Sequence, residues 1–300
     1  MSTADLPVSG HDTRAAGHSA GARATLDPFI QTHEVGIRLG AFFSIFALMA
    51  LWEVRAPRRA LTLSKALRWA SNLGLVALDT ILLRLLFPAA AVGLAATAAA
   101  QGWGLINHYQ VSPWVAAPLA VIAMDLAIWV QHVLVHAVPA LWRLHRVHHA
   151  DLDYDLTTGA RFHPLEIVLS MLIKLAVILV LGPPVVAVIL FEVILNGMAM
   201  FNHGNIKLPS SLDRLLRFLL VTPDMHRVHH SVIIRETNSN YSFNLSIWDW
   251  LFGTYLAQPS KGHKDMIIGL SQFRDHRRLT LPWLLILPFI GDLGKQPINR

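Results

Sequence analysis

Between Val35 and Phe201 the chain runs through long apolar stretches that carry few charges. Such stretches fold where lipid surrounds them or where a very large core covers them. The chain has 300 residues, 54% hydrophobic and 15% charged, whereas an ordinary soluble domain carries about a quarter charged residues. Lipid is the surrounding that fits. The first stretch runs from Val35 to Val54, with Arg38 and Glu53 near its ends, where they can snorkel. The stretch from Trp69 to Ala100 exceeds one untilted crossing at about 1.5 Å per residue, and Pro88 is placed to divide it. A third covers Pro113 to Val135 and contains Asp125. The fourth and fifth, Leu165–Leu181 and Val185–Phe201, meet at Gly182-Pro183-Pro184, a break that predicts a helical hairpin.

Outside these stretches, residues 1–34 are small and polar and are expected to form a disordered tail, with His11, His18 and His33 incidental to function. Residues 257–300 form a C-terminal extension. Its apolar part, Leu279–Ile290, is short and carries two prolines, so it is expected to lie in the membrane interface. The fold expected is all-α: an integral membrane bundle of four to five helices, spanning 35–256 together with a helical cap from residues 137–164 and 202–256.

Charge orients the bundle. Arg55, Arg58, Arg59, Lys65 and Arg68 lie between the first two stretches, whereas the loop from Gln101 to Ser112 has no charged residue. The positive-inside bias puts the first loop in the cytoplasm, and counting crossings puts 136–164 and everything after about 202 on that face too. The net charge of +6 is spread over short juxtamembrane groups, a pattern for anionic lipid headgroups and not for nucleic acid. There is no cysteine, which excludes disulfides, iron–sulfur ligation, thiolate haem and cysteine nucleophiles.

Thirteen of the sixteen histidines lie beyond the tail, and most fall into a pattern. His132 and His136 are four apart at the end of the third stretch. His145, His148 and His149 form H-x-x-H-H, and His226, His229 and His230 repeat it eighty-one residues later. Residues three and four apart share a helix face, so each triplet presents its imidazoles together. Imidazole suits Fe, Zn, Cu or Ni, and eight ligands exceed the need of one ion, so two metals are expected. His163, in Arg-Phe-His-Pro, and His203, in Phe-Asn-His-Gly-Asn, stand where further ligands would complete the shells. His108, His263 and His276 read as structural or surface residues.

In this order the motifs resemble the fatty acid hydroxylase superfamily of sterol desaturase-like proteins. The matching residues are His132-x3-His136, His145-x2-His148-His149, the run from Thr157 to Glu166, Asn202-His203-Gly204-Asn205, His226-x2-His229-His230, and Trp248-Asp249-Trp250-Leu251-Phe252-Gly253-Thr254, over roughly residues 70–256. The resemblance implies a membrane scaffold with a histidine-bound pair of iron ions, a site that zinc can also fill on overexpression. It implies O2 as cosubstrate and hydroxylation or desaturation of a lipid C–H bond. Sterol-like, fatty acyl, sphingoid and carotenoid lipids all stay open.

Acids that accept the free ring N–H groups would orient the histidines. Asp125 is two turns from His132 on the same face and is read either as such a partner or as the counter-ion of Arg84. Asp155, Glu166, Asp224 and Asn202 lie beside the motifs, Glu192 is open to either part, and Asp151 and Asp153 read as a solvated turn. Trp129, Trp142, Phe162, Met198, Met200 and Phe201 are candidates for a substrate slot or for interfacial packing. With no Gly-rich dinucleotide fingerprint and no haem-binding motif, electrons are expected from a separate ferredoxin or cytochrome. Arg143, Arg146, Arg214, Arg217, Arg227 and Arg235 are candidates to dock it.

Two other functions compete. A metal-dependent membrane hydrolase would use about three protein ligands and an acidic base, which eight to ten histidines fit poorly. A metal transporter would place its site near the midplane, whereas these histidines gather at one surface.

Overall fold

The computed structural model describes residues 18–294 and residue 298, and only the backbone of 18–31. Among the described residues every element is a helix, joined by irregular segments, and there are no strands. In order the helices are α1 His18–Arg55, α2 Lys65–Leu86, α3 Ala90–Gln101, α4 Leu105–His108, α5 Pro113–Ala137, α6 Pro139–His149, α7 Pro164–Leu181, α8 Val185–Asn202, α9 Ser210–Leu216, α10 Pro223–His229, α11 Ile234–Thr237, α12 Ile247–Leu251, α13 Gly262–Asp265 and α14 Leu281–Ile286. Five stretches are long and apolar enough to cross a membrane: Thr32–Arg55, Lys65–His108, Pro113–Ala137, Pro164–Leu181 and Val185–Asn202. Helix α1 reaches back to His18, into the segment expected to be a disordered tail; residues 1–17, with His11, lie outside the described residues.

Prolines set the helix starts. Pro113, Pro139, Pro164 and Pro223 sit in the first turn of α5, α6, α7 and α10, where the missing N–H has no partner to lose. The break expected at Pro88 falls there, between α2 and α3. Gly182 ends α7 at φ +63°, and a Cβ on it would lie 2.2 Å from Trp103 O. Only glycine allows the α7–α8 turn and the α3–α4 turn to touch backbone to backbone. Beneath them Ala91, Val92, Ala95, Ile178, Val188 and Phe191 form one buried cluster.

At the opposite end α1 finishes, α2 begins, α5 finishes, α7 begins and α8 finishes, and the cap closes over these five ends. Ion pairs fasten it. Arg68 binds Asp151 and Asp155 at 2.7 and 2.5 Å, and Asp153 accepts from the amides of Thr62 and Leu63. The turn expected to be solvated is therefore buried, with Asp151 and Asp153 each 1% exposed. Burial alone would raise the Asp151 carboxyl, but Arg68 overrides it and holds it well below the usual carboxylate range. Removing Arg68 would strand these acids, at about 3–5 kcal/mol. Glu53, at the end of α1, accepts from the amides of Leu156 and Asn205.

Residues 266–289 belong to this cap. Leu270, Leu279, Leu284 and Leu287 pack with Leu75, Trp142, Val147 and Ala150, each fully buried leucine adding about 1.5–3 kcal/mol. The Arg146 guanidinium binds the carbonyls of Leu287, Ile290 and Asp292.

Candidate metal centre

The three histidine motifs meet at the ends of α5, α6, α8 and α10. Their nitrogens sort into two buried groups: His132, His136, His145, His149 and His229, and His148, His203, His226 and His230, each with donor atoms within 4.8 Å of one another. Each H-x-x-H-H triplet is divided. Its first and last members, four apart on one helix face, enter one group and the middle member enters the other. His145 and His149 are thus joined by His229, while His226 and His230 are joined by His148. The groups abut, with the His149 and His230 rings stacked at 4.7 Å.

Hydrogen bonds on the outer nitrogens fix the rings. Nδ1 of His132 donates to Tyr241 O at 2.7 Å, Nδ1 of His229 to Ser239 O at 2.7 Å, and Nδ1 of His203 to Ala199 O at 2.8 Å. Nδ1 of His145 donates to Glu166 Oε1 at 2.6 Å and Nδ1 of His136 to Asn238 Oδ1 at 3.2 Å. With Nδ1 holding the proton, Nε2 of all five is a bare lone pair turned inward. Nε2 of His132, His145 and His229, and both nitrogens of His230, are buried with no hydrogen-bond partner. Nε2 of His136 and His149 lie 3.2 Å apart, as do those of His148 and His203, and those of His203 and His226 are 3.1 Å apart. These spacings match ligands placed about 2.0–2.2 Å from a shared ion. Orphaned buried lone pairs cost free energy unless something binds them, so each group fits a metal ion.

Burial, reinforced by the neighbouring imidazoles, pushes His148, His149, His226 and His230 well below the usual range of histidine. Burial likewise pushes His203 and His229 down to about 3. Neutral imidazole is the ligand form, so the protein presents it throughout the physiological range.

His203 enters through close packing. The 3-10 turn Thr158–Ala160 lies against the end of α8, and a Cβ on Gly159 would stand 2.4 Å from Ala199 O and 2.9 Å from His203 Nδ1. Glycine there leaves room for the hydrogen bond that orients His203. His163 is not brought into either group. It caps α7, its Nδ1 accepting from Leu165 N and its Nε2 donating to Leu285 O, so both nitrogens are engaged.

Several other readings change. Asp125 meets neither His132 nor Arg84; it accepts from Trp248 Nε1 at 2.8 Å and Leu245 N at 3.1 Å. Trp129 returns the exchange, donating to Asp249, so α5 and α12 are cross-bonded and the loop that carries Tyr241 is seated on the centre. Asn240, at φ +52°, locks the same loop through Met225 O and Leu256. Of the acids beside the motifs only Glu166 bonds a ring of either donor group, since Asp155 and Asp224 are engaged by Arg68 and Arg58. Asn202 binds Phe243 O. His263 is buried and lies 3.6 Å from Asp224, not on the surface. Arg146, Arg217 and Arg227 are buried in internal bonds, which removes them from any docking face, while Arg214 and Arg235 stay exposed.

A cavity of about 490 Å³ adjoins the histidines. His132, His145 and His148 form one end of it, with Phe162 and Met200 in its wall, and Phe162 stacks on His148 at 4.6 Å. Trp142 packs instead in the cap core. Away from the histidines the cavity continues between α1, α2, α7 and α8 toward the end opposite the cap.

Comparison with known proteins places this arrangement. Residues 117–254 match the family model described as Fatty acid hydroxylase. Ornithine lipid hydroxylase OlsE of Rhizobium tropici is 27% identical over 186 residues, 59% of this chain and 55% of that protein. Alkylglycerol monooxygenase of Homo sapiens is 30% identical over 166 residues, 54% of this chain and 35% of that protein. Very-long-chain aldehyde decarbonylase GL1-6 of Oryza sativa subsp. indica is 27% identical over 161 residues, 48% of this chain and 25% of that protein. The chain thus spans about half of the first relative, about a third of the second and a quarter of the third. No solved structure matches it. The stretch that matches, residues 117–254, holds all nine converging histidines, so the part of the chain that is similar to the fatty acid hydroxylase family is the part that builds the two donor groups.

Proposed function

We propose that the protein is an integral membrane oxidoreductase in which two iron ions and O2 hydroxylate a membrane lipid at an unactivated C–H bond. The observation that carries this reading is the division of nine buried histidines into adjoining groups of five and four. When bound, a pair of irons supplies the oxidising power to cleave an unactivated C–H bond, which side chains alone lack. Eight ligands come from the three motifs and the ninth is His203; His163 is a helix cap in this reading.

The chain's own residues orient and enclose. Tyr241 O, Ser239 O, Ala199 O, Asn238 and Glu166 keep five Nε2 lone pairs directed inward. Glu166 does more than a carbonyl, because a carboxylate on Nδ1–H makes the opposite nitrogen a stronger donor. The cavity brings a lipid chain from the bilayer to where His132 and His145 of the group of five meet His148 of the group of four, and Phe162 fixes the plane of His148 there. Hydroxylation puts one oxygen atom of O2 into the C–H bond and releases the other as water. The two electrons and two protons this requires come from a separate donor of ferredoxin or cytochrome type, acting at the cytoplasmic face. Desaturation shares the first hydrogen abstraction. The names of the ornithine lipid hydroxylase and the alkylglycerol monooxygenase support oxygen insertion over it.

No carboxylate belongs to either donor group, which weighs against a hydrolytic zinc site with an acidic base. The test is purified protein in lipid with isotopically labelled O2, reductase and ferredoxin. Label in a lipid hydroxyl, dependent on reductant, is expected; product oxygen drawn from water would refute the oxygenase reading.

A further inference from the structure

The cavity wall remote from the histidines is charged where the helices are most apolar. Lys174 lies near the middle of α7 and Glu192 near the middle of α8. Lys174 Nζ donates to Glu192 Oε1 at 2.8 Å, and Arg38 of α1 reaches Glu192 Oε2 at 3.1 Å. All three line the cavity. An ionisable residue at a helix centre in lipid costs about 2.5–3.5 kcal/mol by insertion scales and marks function by default. A link that merely tied α1, α7 and α8 together could be built from apolar side chains at no such cost.

The triad is also incomplete as a structural device. Two cations share one carboxylate, so one positive charge is left over. Lys174 has three donors and Arg38 five, and Glu192 is the only acceptor that either is bonded to among the described residues. Nearby on the same wall, the buried Gln131 Oε1 and the 7%-exposed Asp79 Oδ1 have no hydrogen-bond partner. Both are acceptors, so they do not hold an anion; the donors that face the cavity here are those of Arg38 and Lys174. Along α7, Lys174 is eight residues from Glu166, about 12 Å; along α8, Glu192 is eleven residues from His203, about 16 Å.

We propose that Arg38 and Lys174 bind an anionic group, carboxylate or phosphate, at the end of a lipid chain whose other part reaches the histidines. The identity of the reacting end rests on the oxygenase reading; the anion site does not. Glu192 keeps both cations aimed at the cavity and cancels one charge while the site is empty. A separation of about 12–16 Å suits an alkyl chain of medium length. Arg84 and Glu34 also line the cavity, at the end opposite the cap.

The experiment is calorimetric binding of dodecanoate, monododecyl phosphate and methyl dodecanoate to the detergent-purified full chain, without turnover. At least one anion should bind about tenfold or more tighter than the neutral ester, the scale of a lost charged hydrogen bond. Whichever anion binds tighter identifies the head as carboxylate or phosphate. Lys174→Met should erase the preference without changing ester affinity, and Lys174→Arg should retain it. Arg38→Gln, on a side chain 35% exposed, reads the same contact if the α7 variant does not fold. Equal binding of all three probes by the wild type, or variants that weaken all three alike, would overturn the proposal. Anion-selective binding without O2-dependent oxidation would instead leave the anion site standing and refute the reading of function.

Discussion

Glu166 accepts a hydrogen bond from Nδ1 of His145 at 2.6 Å, both side chains being buried. Among the described residues it is the one carboxylate that touches a ring of the two donor groups, and its second oxygen is buried without a partner. Glu166→Ala should therefore lower metal affinity by about 10–100-fold, the usual cost of losing such a partner. Glu166→Gln keeps an acceptor and should lose less. Chelator titration of the loaded protein measures both. Equal affinity in Glu166→Ala and wild type would remove the orienting role.

His163 and His203 should separate cleanly. His163 caps α7 outside both groups, so His163→Ala should keep its full metal content and lose about 1 kcal/mol of stability, as helix caps do. His203→Ala should lose the ion of its own group. Metal analysis beside thermal unfolding compares them, and metal loss in His163→Ala would contradict this division.

Gly159→Ala tests the packing that places His203. The added Cβ meets Ala199 O and His203 Nδ1 at distances that require one of them to move. The expected result is metal loss confined to one ion, as in His203→Ala. Gly36→Ala, where a Cβ meets nothing within 4 Å, should leave metal content unchanged.

Acid should weaken the cap partly through His263. Burial pushes its imidazole down to about 3 from 6.5, although Asp224 pulls the other way. Between pH 6.5 and 3 the unfolded chain binds the proton that the folded chain refuses, so stability is complete above that window and falls as pH drops through it. His263→Gln should flatten this part of the decline. A pH series of unfolding measurements checks it, and an unchanged slope would contradict it.

The donor groups were legible because their information is local. Spacings of three and four on a helix fix which imidazoles share a face, and nine of the ten histidines expected as ligands converge. His163, expected as a further ligand, lies outside both groups as the cap of α7, and a histidine before proline at a helix start has the same sequence look whether it caps or coordinates. Glu166 was legible as a partner, one of several acids near the motifs. Asp125 was not. Its partners Trp248 and Leu245 lie 123 and 120 residues away, and a helix-face argument can reach only its own helix. Asp151 and Asp153 looked solvated for the same reason: the Arg68 side chain and the amides near Thr62 that bury them come from the loop before α2 and its first turn. The carbonyls of Tyr241, Ser239 and Ala199 carry no residue signature at all, so the groups that hold three of the rings had no sequence signal.

The most direct measurement is the iron content of purified full-length protein, beside His149→Ala for the group of five and His230→Ala for the group of four. Two irons per chain are expected in the wild type, with each variant losing metal chiefly from its own group while the chain stays membrane-inserted. One iron or none in folded, iron-supplied protein, or both ions retained in both variants, would contradict a centre built from these two sets of histidines.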